Sequence, residues 1–249
     1  MNRHAISGIV MVQLVLSGCS RHGVLDRVVI PSVPSKPSED AEAWFREVKS
    51  NWTIVIGSRG ISAGPGMGSL FPGSQGSPRD RGFPLTVTAT LMDSQVIEAG
   101  FRYYQQMTQM LPGEAEHFRQ RYVDRHELDE HILIEANLRT TAAENYLDLS
   151  RYTIFLEDDQ GNQHLPKKMK EMPVATNRFE GMVNNPSLKR PFYMNFSDHT
   201  KNAFLYFPRY DYYGNPTIHE NIKHLSLVFI LDVGGHARAE GTWVFPSER

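Results

Sequence analysis

The sequence predicts a mainly β protein, an antiparallel sandwich of the immunoglobulin-like kind with one helical hairpin inserted at about residues 93–126. Three observations predict it. Short apolar runs that alternate with period two recur from residue 52 to residue 245. In the second half these runs are separated by turn-rich segments and flank no helices, which favours antiparallel pairing. Where the period lengthens to that of a helix, strand-like runs lie on both sides. At 249 residues the chain is long enough to bury a large core, and it contains no internal repeat.

The folded body, residues 44–249, is expected as a single domain. A short helix in "DAEAWFREVKS" and a strand in "WTIVIG", Trp52 to Gly57, open it. Residues 58–83 follow, "SRGISAGPGMGSLFPGSQGSPRDRGF", whose glycines and prolines hold neither helix nor strand and predict a long surface loop. The "GPGMG" within it lacks both the glycine spacing of a dinucleotide loop and the Gly-Lys-Ser/Thr of a triphosphate loop.

"LTVTATLM" then alternates, with Leu85, Val87, Ala89 and Leu91 on one face and threonines on the other, as a half-buried strand does. After the capping residues Asp93 and Ser94, the spacing of Ile97, Phe101, Tyr104 and Leu111 is helical, and Pro112-Gly113 is expected to end that run. A second helix from Glu114 to about Arg125 sets Ala115, Phe118 and Tyr122 on one stripe.

Beyond the hairpin, "HILIEANL" places Ile132, Ile134, Ala136 and Leu138 inward. "YTIFLED" reads as a strand leading into the turn "DDQGNQ", where Gly161 supplies a positive φ. "PFYMNF", "AFLYFP", "LSLVFIL" and "GTWVF" complete the series, the last two joined through Gly234-Gly235.

Few constellations carry chemistry. In "RHELDEHI" the histidines at 126 and 131 flank Glu127, but they are five apart, whereas a zinc helix needs four so that both face the metal. Five residues turn about 140° around a helix, so the stretch reads as a polar junction. Asp158 and Asp159 lack the alternating oxygens and distal glutamate of a calcium loop. There is no Gly-x-Ser-x-Gly elbow, and no catalytic residue, cofactor or metal ligand is assigned.

The aromatic content is uneven. Nine of 26 aromatics fall between Phe192 and Tyr213. "AFLYF" is apolar on both strand faces and belongs to the core, but Tyr210, Tyr212 and Tyr213 lie in the turn-like "PRYDYYGNP" and are candidates for a platform that binds a sugar or a protein.

The N-terminus says where such a platform would stand. After Arg3 and His4, "AISGIVMVQLVL" is an apolar run of the length of a signal-peptide core and too short to span a bilayer permanently. Residues 1–18 therefore read as a signal peptide. "LSGC", ending at Cys19, the only cysteine in the chain, resembles the lipobox of bacterial lipoproteins. The resemblance covers about the first twenty residues. It implies a mature chain that begins at Cys19, acylated on sulfur and on the new amine, and two or more acyl chains anchor stably where one does not. Ser20 is not the aspartate associated with inner-membrane retention, which favours the outer membrane in a Gram-negative source. Residues 19–43, with prolines at 31, 34 and 37, read as a lipidated N-terminus and extended tether.

Without Arg3 the chain carries 25 Lys and Arg against 28 Asp and Glu, a balance that offers nucleic acid no basic face. With one cysteine there is no internal disulfide, so the fold rests on its core. The functional expectation is a membrane-anchored, non-enzymatic module of the cell envelope that binds or scaffolds an envelope protein or glycan. A lipid-anchored hydrolase acting on envelope polymer is the alternative, its site formed across the 58–83 loop and the helical hairpin.

Overall fold

The computed structural model describes residues 27–29, 40–57, 83–183, 192–219, 221–231 and 237–245. The signal peptide, Cys19, most of the tether, Gly234-Gly235 and residues 58–82 lie outside the described residues. Two sheets face each other across one core, the antiparallel sandwich expected from the strand spacing. An immunoglobulin-like arrangement within that class is not established.

One sheet has the order β1 (Arg27–Val29), β11 (Ala237–Val244), β10 (His224–Leu231), β5 (Tyr152–Asp158), β6 (Gln163–His164). The other runs β2 (Thr53–Gly57), β3 (Thr86–Leu91), β4 (His131–Thr140), β9 (Phe192–Pro208), β7 (Lys168–Glu171), with β8 (Ala175–Val183) also on β9. Pairing is antiparallel except between β1 and β11. Three residues of the stretch read as tether are thus part of a sheet.

The core follows from the alternation. Leu85, Val87, Ala89 and Leu91 are buried, as are Ile132, Ile134, Ala136 and Leu138, and they meet Leu225, Leu227, Phe229 and Trp243 from the facing sheet. The indole N–H of Trp243 donates to the Trp52 carbonyl at 2.9 Å, and Gly241 lies against Ile54 and Ile56. These contacts fix the direction of β2 opposite to β11. Gly57, the start of β3 and the end of β4 therefore share one end of the sandwich with the start of β11, while Trp52 and Phe245 lie at the other.

Helix α1 (Ala41–Asn51) is capped by Asp40, whose side chain accepts from Ala43 N. The expected hairpin is present as α2 (Ser94–Thr108) and α3 (Pro112–His126), inserted between the adjacent strands β3 and β4. Asp93 caps α2 by accepting from Gln95 N. The helix ends earlier than Pro112-Gly113, at Gln109 with φ 52°, and Pro112 instead begins α3, where its missing N–H costs no bond. α2 shows two faces: Val96 and Ala99 join the main core and Tyr103 stacks on Phe45 of α1 at 5.6 Å, while Phe101 and Tyr104 meet Phe118 of α3.

Two strands expected separately, "PFYMNF" and "AFLYFP", are one 17-residue strand, β9. The turn after β5 is as expected, with Gly161 at φ +83°. Asp158 holds it by accepting from Gln160 N, Asn162 N and Asn162 Nδ2. The two ends of the 58–83 stretch adjoin, since Gly57 pairs with Thr86 and Phe83 is buried beside Tyr152.

Candidate functional site

The platform residues sit on the loop that follows β9, at the same end as the hairpin. Asp211 organises that loop: its carboxylate accepts from Tyr213 N (2.8 Å), Asn215 N (2.8 Å) and Asn215 Nδ2 (2.9 Å). The bond from the Asn215 side chain, with the backbone N–H groups, holds that carboxyl below its ordinary range. Gly214 takes φ +85°, a value that glycine meets without strain. Arg209 ties the loop to the α3–β4 corner, donating from Nε to the Leu128 carbonyl at 3.1 Å and from its backbone N–H to Glu130 at 3.0 Å. Thr217 closes the base by donating to the Pro208 carbonyl.

On this braced loop Tyr212 is 97 % exposed, Tyr213 86 % and Tyr210 53 %. The rings of Tyr212 and Tyr213 meet edge to face at 5.5 Å. Large aromatic side chains this open are uncommon outside recognition surfaces, because each leaves apolar area in water that burial would remove.

Tyr210 also lines a cleft of about 700 Å³ between the loop, the hairpin and the Trp52 end of the sandwich. Trp52, Ile132 and Phe245 contribute apolar surface, while Asp93, Arg119, Gln120, Asp129 and Arg209 contribute polar groups. Such a mixture can stack a flat apolar surface and hydrogen-bond its polar edge.

The histidines of "RHELDEHI" come together on either side of Tyr206. His126, the last residue of α3, is buried and its Nδ1 is 2.8 Å from the Tyr206 hydroxyl. His131, the first residue of β4, stands edge-on to the same Tyr206 ring at 6.0 Å, with its Nδ1 3.3 Å from the Glu127 carbonyl. Tyr122 packs on His126 at 4.4 Å, which extends the Ala115, Phe118 and Tyr122 stripe by one turn. This second, smaller core joins α3 to the outer face of β4 and β9 through Leu128, Leu133 and Phe204. His117 lies apart, exposed beside Glu114 and Arg121. Among the described residues no group of three or more histidine, cysteine or acidic side chains gathers around a point.

Burial, followed by the charges of Lys170, Arg125 and Lys168, lowers the His126 pKa to about 4. An unfolded histidine titrates near 6.5, so between about pH 6.5 and 4 the unfolded chain takes up more protons than the folded one. Stability from this group is complete above that window and falls as pH drops through it, by about 3 kcal/mol at full extent. Melting at pH 5 is therefore expected below melting at pH 7, and His126→Gln should flatten that difference while lowering both. An unchanged pH slope in the variant would mean that His126 is not the titrating group.

No family model, curated protein or solved structure matches the chain. What the site does must be read from its own chemistry. A hydrolytic centre needs a solvent-facing base beside a nucleophile. His126 is closed off and bonded to Tyr206. The described ends of the glycine-rich stretch, Gly57 and Phe83, lie at the end of the sandwich away from the hairpin. The open aromatic loop and its cleft lie at the other end, beside the hairpin.

Proposed function

We propose that the chain is a lipid-anchored binding module of the bacterial cell envelope, held in the membrane through Cys19 and engaging an envelope component with the Tyr210–Tyr213 loop and the cleft beside it. The outer membrane is the location this reading favours in a Gram-negative source. One observation carries the binding role: two adjacent tyrosines stand almost fully exposed on a loop whose backbone is fixed by Asp211, Arg209 and Thr217. A rigid aromatic pair binds with little ordering entropy to lose, which is why tyrosine dominates many recognition surfaces.

The test separates binding from folding. Tyr212→Ala with Tyr213→Ala removes two rings that are almost fully exposed, so the melt should stay within about 0.5 kcal/mol of the parent. Association with envelope material should nevertheless be lost in that variant. Retained association with both tyrosines gone would remove the loop from the function.

A further inference from the structure

We propose that the component engaged at the cleft beside the tyrosine loop is a polypeptide, which inserts an apolar side chain that has a lysine or arginine next to it in sequence. This inference rests on the binding role proposed above. The floor of the cleft is aliphatic: Leu91 of β3, Ile97 of α2, Val123 of α3, Leu128 of the α3–β4 corner and Ile132 of β4. Its volume of about 700 Å³ is that of clefts which bury a ligand rather than graze it.

Most polar groups around that floor are already engaged by the protein itself. Arg119 Nη1 donates to Glu116 at 3.0 Å, and Gln120 Nε2 donates to Asp124 at 2.8 Å. Asp93 Oδ2 accepts from Gln95 N and from Ser94 Oγ. Arg209 is turned onto the Leu128 and His131 carbonyls. A sugar pressed onto this floor would set ring hydroxyls against aliphatic carbon with few open partners, and every polar group buried without a hydrogen bond weakens binding. An apolar side chain gives up no hydrogen bond there and leaves water as it enters. Anchors of this kind, buried in a pocket beside exposed tyrosines, carry much of the energy of protein–protein contacts.

Charge names what flanks the anchor. Asp129 stands exposed at the α3–β4 corner and is the one charged residue of the cleft without a hydrogen-bond or ion-pair partner among the described residues. Its neighbour Glu130 is exposed too. A cation beside the anchor meets this open carboxylate, whereas a carboxylate in the same place is repelled. An acyl chain, the other apolar occupant, needs apolar walls along its length, and Ser94, Gln120 and Asp129 interrupt the rim.

The test uses the full-length protein in phosphatidylcholine nanodiscs, with empty discs to subtract partition into lipid. Fluorescence anisotropy compares three labelled probes: acetyl-Lys-Leu-Phe-Leu-Lys-amide, the same peptide with glutamate in place of both lysines, and chitotetraose. At low salt the lysine-flanked peptide should bind about tenfold tighter than either of the others, and high salt should remove most of its lead over the glutamate peptide. Asp129→Lys should cost the lysine-flanked probe about tenfold by replacing attraction with repulsion. Gln120→Trp, which adds a ring to the rim from an exposed position of α3, should cost it about tenfold while the melt stays that of the parent. A lysine-flanked probe that binds no tighter than the other two, or that binds both variants as it binds the parent, overturns the ligand class. Where association with envelope material still depends on Tyr212 and Tyr213, the binding role survives that failure. Association that ignores the tyrosines defeats the binding role, and this inference with it.

Discussion

Trp243→Ala is expected to cost about 3–5 kcal/mol, a large share of the roughly 5–15 kcal/mol that keeps a domain of ordinary stability folded. Trp243 is among the largest side chains with no exposure at all, and it stands between the two sheets at the end marked by Trp52 and Phe245. Its ring fills space that the neighbouring backbone cannot collapse into, and its N–H reaches across to the Trp52 carbonyl at 2.9 Å. That carbonyl also accepts from Leu91 N at 3.0 Å, so it keeps one partner when the indole is removed. Trp243→Phe should therefore be much milder, about 1–2 kcal/mol for the lost bond and the smaller ring. Urea melts of the two variants measure the difference. A Trp243→Ala midpoint close to that of the parent would show that the sheets are not joined there.

Gly241→Ala is the second large effect, and its sign is opposite to what local propensity gives. A glycine within a strand normally weakens it by about 0.5–1 kcal/mol relative to alanine. At Gly241, however, a Cβ would lie 2.8 Å from Ile56 Cγ1 and 3.0 Å from Ile54 Cδ1, both on fully buried side chains of the facing sheet. Overpacking of this kind costs about 1–3 kcal/mol. Glycine here is the condition for the close approach of β11 to β2. The contact with Ile56 gives a sharper test: Ile56→Ala removes Cγ1, which valine would keep, so the cost of Gly241→Ala should be smaller in that background although Ile56→Ala itself destabilises the parent. Purely additive effects would mean that the contact is relieved elsewhere.

Strands with one buried face were legible because their period records that face directly: β3 and β4 keep the inward residues that alternation assigns to them. β7 and β8 were not. "KMKE" is exposed along its whole length, and nothing in its own pattern says that β9 will pair with it. The length of β9 was hidden for a related reason, since Ser197, Asp198 and Lys201 look like a turn until β4 and β8 are seen to pair on its two sides. Pro112-Gly113 was placed on the wrong side of a boundary, as proline stops one helix and starts another with equal ease.

At the site, the exposure of Tyr212 and Tyr213 could be read from the turn residues around them, Asp211, Gly214 and Pro216. The cleft could not, because its walls come from the hairpin, the β3–α2 corner, the α3–β4 corner and the loop after β9, which only the folded topology brings together. The bonding of His126 to Tyr206 spans 80 residues and left no local trace. Its spacing after Phe118 and Tyr122 nevertheless continued the same helical stripe.

The binding role is tested most directly by photo-cross-linking in intact cells of the native host, with benzoylphenylalanine at Tyr212 and, in a separate strain, at Glu240 on the exposed face of β11. Protease and muramidase treatment of any adduct tells protein from glycan. The account predicts a discrete adduct from position 212, absent from position 240 and absent when Tyr213→Ala is combined with the probe. Folded, membrane-held protein that gives no adduct at 212, or the same adducts at 212 and 240, would contradict it.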